Sequence, residues 1–165
     1  MAQPISISKF MPQDVYLFGY KDAEKTEKNE CPYPGMEEVT VRIVPATWKT
    51  DSEHDSMIAK ARTMEQPGLY AIQQEIWMCF GGSNMSLLIQ KQDENGRLLW
   101  ADQGDGNFAP LTERLEFPPT MNYTEFLVAI GKLPTPLVEQ WWLRTLEVVP
   151  LWAERFRPAP PSESD

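Results

Sequence analysis

The sequence predicts an α+β fold, with a mostly antiparallel sheet of about five to six strands and about three helices packed on one side. Short alternating apolar runs fill much of the first two thirds of the chain, whereas capped helical spacings occur near 50–64 and beyond residue 122. Strands, a helix, more strands and then helices follow in that order, without the regular alternation of a parallel α/β sheet.

A chain of 165 residues has the length of one domain and can bury a core without disulfides or metals. Its apolar fraction of 42%, with six tryptophans and seven phenylalanines, requires a packed core over most of that length. One globular domain is expected over residues 1–157, followed by a disordered tail at 158–165, where the sequence is polar, charged and Pro-rich.

Ile5 to Ser8 alternates like a half-buried strand, and Val15 to Tyr20 is an apolar run of strand length. Residues 21–35 (KDAEKTEKNECPYPG) are charged and then Pro-rich, which predicts a long exposed loop carrying Glu24 and Glu27. Val39, Val41 and Ile43 alternate with Thr40 and Arg42 in the clearest strand of the chain, closed by Pro45. Thr50, with Glu53 three residues later, reads as the cap of a helix whose apolar positions are Met57, Ile58, Ala61 and Met64. Gln66-Pro67-Gly68 stops that helix.

Residues 69–80 suit either a strand (Tyr70, Ile72, Ile76, Met78, Phe80) or a helix (Leu69, Ile72, Ile76, Cys79, Phe80), and are read as a strand. After a turn at Gly81 to Asn84, Leu87 to Ile89 and Leu98 to Trp100 are expected to pair as a hairpin through Asn95-Gly96. Asp102 to Asn107 reads as a solvated loop. Asn122 and Glu125 form a capping box before Tyr123, Phe126, Leu127 and Ile130, with Gly131 at the exit. Thr135 and Pro136 open a third helix whose apolar residues cover most of its circumference, and Pro150 kinks or ends it.

The residues that carry familiar chemistries are scarce or scattered. The lone histidine, His54, falls in the first turn of a helix between two acids, which predicts an exposed surface histidine rather than a catalytic base for Ser52 or Ser56. Cys31 and Cys79 are far apart and lack metal-ligand spacing, so both are expected to be reduced. Neither glycine cluster matches a phosphate-binding loop. Asp102, Asp105 and Asn107 resemble a fragment of a calcium loop, but Gly104 and Gly106 stand where side-chain oxygens are needed. No catalytic residue, metal site or cofactor is therefore expected. A pair of carboxylates among the 24 acids has no sequence signature, so a carboxylate-dependent hydrolase is an alternative for the structure to test.

A net charge of −9 disfavours nucleic acid and anionic membranes and suits basic protein partners, while also serving solubility. The most apolar stretch, Leu137 to Trp152, is interrupted by charges and Pro150, so no membrane span is expected. The amino terminus lacks the pattern of a secretory signal, so a cytoplasmic protein is expected if Met1 is the native start.

Tryptophan dominates binding hot spots when exposed and fills cores when not. Adjacent Trp141 and Trp142 point about 100° apart on a helix, too wide for one narrow core face, so one of them is a candidate contact residue. Together with Asp102, Asp105, Glu24 and Glu27 they form the predicted partner-binding set.

A small, acidic, tryptophan-rich α+β domain without active-site residues resembles, as a class, the immunity proteins with which bacteria neutralise their own toxins. That resemblance implies a non-enzymatic protein that covers a cognate toxin domain, with a basic toxin surface favoured by charge. The competing expectation is an oligomerising structural or assembly accessory protein of a phage or secretion apparatus.

Overall fold

The computed structural model describes residues 10–19 and 31–156. The expected strand at Ile5 to Ser8, the loop positions Glu24 and Glu27, and the tail at 158–165 lie outside them. The chain is α+β, and every strand pairing among the described residues is antiparallel. The described strands do not form one sheet. Strands β1 (Gln13–Tyr16), β2 (Thr40–Ile43) and β3 (Phe80–Ser83) make a three-stranded sheet in that order; β4 (Ser86–Gln90) pairs with β7 (Thr112–Glu116), and β5 (Trp100–Gly104) with β6 (Asn107–Pro110). Pro45 follows the end of β2 and Pro118-Pro119 follow the end of β7, where neither strand can extend its ladder.

The alternation around Val41 works as its period requires. Val41 and Ile43 are buried, while Arg42 points outward and holds Asp14, its cross-strand neighbour on β1. Gly81 permits this arrangement: a Cβ there would lie 2.7 Å from the Cγ of Arg42.

Helix α1 (Trp48–Ala61) begins earlier than Thr50. Its cap is Thr47, whose hydroxyl accepts from the Thr50 amide. His54 precedes Met57, Ile58 and Ala61 by three, four and seven residues and so lies with them on the buried face, not on the surface. Residues 69–80 are not a strand: they belong mainly to helix α2 (Pro67–Met78), with Pro67 at the first helical turn, where its missing N–H costs nothing. The proline read as a stop signal therefore starts the next helix. Met57, Ile58 and Ala61 of α1 pack against Ala71 of α2.

Helix α3 (Tyr123–Ile130) has the complete Asn122–Glu125 capping box. Helix α4 (Thr135–Val148) ends before Pro150, which opens a further short helix, α5 (Pro150–Phe156). The principal core lies where α2, α3 and α4 meet the strands. Trp141 is 1% exposed and meets Phe117 edge-on at 5.1 Å between ring centres; Phe126, itself in tilted contact with Trp77 and Phe80, completes the aromatic lattice.

Candidate partner-binding surface

Residues 91–111 leave the β4–β7 ladder as an arm of two successive hairpins. The first bends at Asp93, whose carbonyl accepts from the Gly96 amide and whose amide donates to the Arg97 carbonyl. Its carboxylate also accepts from the Asn95 and Arg97 amides, and Gly96 takes a positive φ of 80°, so Asn95-Gly96 does turn the chain. The partners differ from expectation. Only Gln92 bridges to Leu98; the Lys91 amide donates to Leu111, the Leu111 amide to Leu99, and the Leu99 amide back to Lys91. This junction lets the strand from Trp100 pair with β6 rather than β4.

The second hairpin, β5–β6, occupies the segment read as a solvated loop. Asp105 and Gly106 form its two-residue turn, with φ of 54° and 76°, the positive values that match the twist of paired strands. Asp-Gly is itself a hairpin signal of the same kind as Asn95-Gly96. Cross-strand pairing puts Trp100 opposite Pro110 and Asp102 opposite Phe108, so these four side chains share one face, and Ala101 and Ala109 share the other. Trp100 is 55% exposed and Phe108 63%, with exposed Leu98 and Leu111 at the base. Among the described elements, the two strands make extensive contacts only with each other.

Asp102 and Asp105 are thus brought together at the far end of the hairpin, beside an aromatic face. The Asp102 carboxylate accepts from the Gly104 amide and braces the turn. Gly104 and Gly106 flank Asp105 with nothing near them, leaving its carboxylate at a slender tip. The sequence from Leu98 to Thr112 contains no Lys or Arg. Alternation reveals the two faces of such a hairpin, but only its separation from the body shows that both aromatics stay in solvent.

The tryptophans of α4 are not part of this surface. Trp141 is core, and Trp142 is half-buried, donating its indole N–H to Glu75 Oε1 at 2.8 Å.

His54 is likewise internal rather than exposed. It is fully buried, with Nε2 2.7 Å from Glu75 Oε2 and its ring stacked on Trp152 of α5. Trp152 in turn donates to Asp51 Oδ1 at 2.8 Å. One carboxylate, Glu75, therefore joins α1 and α4 through α2, and α5 closes over the imidazole. The neighbouring hydroxyls take no part: Ser52 and Ser56 donate back to the carbonyls of Trp48 and Ser52. Cys79, also buried, has its thiol pushed up to about 12, chiefly by desolvation and then by the negative charges of Glu75 and Asp51. Cys31 is a second free thiol and donates to the Tyr33 carbonyl.

A groove of about 330 Å³ crosses the outer face of the first sheet between Asp14, Arg42, Gly81, Gly82, Asn84 and Pro119. Its polar groups satisfy one another. Arg42 makes two bonds to Asp14 and holds that carboxyl below the usual carboxylate range, and Asn84 bonds the Thr40 amide and the Glu38 carbonyl. Among the described residues, no group of three or more His, Cys, Asp or Glu side chains is placed to hold a metal ion, and no helix is long and apolar enough to cross a membrane. No family model matches the chain, and no similar curated protein or solved structure was found.

Proposed function

We propose that the protein is a non-enzymatic binding module that neutralises another protein inside the cell, in the manner of an immunity protein facing its toxin. The observation that carries this reading is the β5–β6 hairpin, which holds Trp100 and Phe108 in solvent next to Asp102 and Asp105. Isolated two-stranded hairpins are marginal in water, and large aromatics are costly to leave solvated unless a partner covers them. Aromatic anchors flanked by polar groups are the composition of interface hot spots. The acidic end adds a preference for a basic partner surface, which speeds encounter.

The test is to express the tagged protein in its native cell, isolate whatever it binds, and measure affinity for the wild type and for Trp100→Ala/Phe108→Ala. The expected result is a stoichiometric complex that loses at least tenfold in affinity in the variant while the melting temperature is retained. The bound protein should also arrest growth when expressed alone and be silenced by co-expression. A partner that binds the double variant as tightly as the wild type, or that is harmless alone, contradicts the reading.

A further inference from the structure

We propose that the β5–β6 hairpin enters a cleft in the partner tip first, and that the cleft is lined with Lys and Arg, as in an enzyme that acts on an anionic substrate. This rests on the reading of the protein as a neutralising binder and specifies how it binds.

The shape of the hairpin carries the first half of the inference. Its turn is two residues long, and Asp105 sits between glycines that have open space around them, so the leading end is narrow and carries one side chain. Its back face holds the small residues Ala101 and Ala109, and its front face Trp100, Asp102, Phe108 and Pro110. A flat receptor surface would cover the front face and leave the tip in water. Opposed walls cover the front, the back and the tip together.

Charge carries the second half. Two carboxylates and no cation lie between Leu98 and Thr112, on a chain of net charge −9. A cleft that concentrates one sign of charge attracts such a tip and repels its opposite. The same charges oppose insertion into an anionic membrane and disfavour a second copy of this chain, whose tip would bring equal negative charge. Trp100 and Phe108 then supply the desolvated contact behind the tip, where a cleft mouth is wide enough for rings.

The experiment places a photo-crosslinking benzoylphenylalanine at position 108 on the front face, at 109 on the back face, or at 128, where Val128 is 57% exposed on α3. Each full-length variant is irradiated in the native cell and the crosslinked peptides are sequenced. Positions 108 and 109 are expected to reach two different segments of one protein, segments that face each other across a Lys- and Arg-lined cleft, while 128 gives no product. With that protein purified, Asp102→Asn/Asp105→Asn is expected to weaken binding at least tenfold at low salt and to flatten its salt dependence. Asn accepts the positive φ of the turn, so the hairpin geometry is kept.

Crosslinks from 108 without 109, or to an acidic or flat surface, overturn the cleft and leave the binding reading standing. Crosslinks from 128 alone move the interface off the arm with the same consequence. A product of two copies of this chain, a lipid adduct, or no product at any position overturns both.

Discussion

The imidazole of His54 lies flat on the indole of Trp152, with ring centres 4.1 Å apart and planes 6° from parallel. Neither ring is exposed, and the indole N–H is held by Asp51, so the last described helix is fastened to the first by stacking and a hydrogen bond. Trp152→Ala is expected to cost about 3–5 kcal/mol, the range for emptying a buried aromatic site. Trp48, 88% exposed one turn before Asp51, is the control; Trp48→Ala should change stability by less than about 0.5 kcal/mol. Urea denaturation of both variants measures the contrast, and equal losses would remove Trp152 from its role as the clasp.

Glu75 is the hub of the buried polar cluster, because its two oxygens serve His54 and Trp142 separately. Glu75→Ala leaves the buried His54 ring nitrogen and the half-buried Trp142 indole N–H without their shared partner and should destabilise by about 3 kcal/mol. Trp142→Phe removes one of the two hydrogen bonds and should cost about 1 kcal/mol. In a double-mutant cycle the two changes are expected to couple, since both act on the same carboxylate, and additive losses would contradict that connection.

The sequence pattern carried the class of the fold and several of its particulars. The Val41 strand, the Asn122–Glu125 box and the break at Pro150 are local signals that tertiary packing did not override. The structure departs from the local pattern where one residue type can serve two roles. Thr47, not Thr50, caps α1, and His54 lies on the buried face because it precedes Met57, Ile58 and Ala61 by three, four and seven residues, a spacing that outweighs its acidic neighbours Glu53 and Asp55. Pro67 begins α2 rather than ending α1, because proline suits a helix's first turn as well as its exit, and residues 69–78 continue that helix instead of forming a strand. The division into three sheets, and the solvation of Trp100 and Phe108, depend on which strands find partners, a non-local choice that periodicity does not encode.

Gly81 and Gly68 make opposite predictions. A methyl group at Gly81 meets Arg42 within 3 Å along both side chain and backbone, so Gly81→Ala must displace β2 or release the Asp14 pair, at a cost of about 1–3 kcal/mol. Gly68 lies in the first turn of α2 with nothing around it, and Gly68→Ala should stabilise by about 0.5–1 kcal/mol through helix propensity and a less flexible unfolded chain. Paired thermal melts check the signs, and a stabilised Gly81→Ala would refute the close approach of β3 to Arg42.

The thiol of Cys79 makes stability fall in alkali. Its folded value of about 12 exceeds the ordinary 9.0, so above pH 9 the unfolded chain releases a proton that the folded chain retains. Below pH 9 both states are protonated and the group is silent; between about 9 and 12 it lowers stability with a slope of at most about 1.4 kcal/mol per pH unit. Cys79→Ala should remove that component from the alkaline limb when compared with the wild type. At pH 8 a thiol reagent should label half-buried Cys31 in the native protein and reach Cys79 only after denaturant is added. Rapid native labelling of Cys79 would contradict its burial.

The arm should open independently of the body. Among the described elements its strands have extensive contacts only with each other, and from Leu98 to Thr112 only Leu99, Ala101 and Ala109 are even partly sheltered. Local opening of such a unit takes much less free energy than global unfolding. In native-state hydrogen exchange, amides of β5 and β6 are therefore expected to exchange orders of magnitude faster than those of Val41, Ile76 or Phe126 in the core. Asp105→Ala should widen that gap, because alanine pays about 1 kcal/mol for the positive φ at the tip, whereas Asp105→Asn should leave it unchanged. Neither substitution should move the global denaturation midpoint. Exchange in β5 and β6 as slow as in the core would mean that the hairpin is held by the body, and its aromatic face would then be an extension of the fold rather than a surface kept ready for a partner.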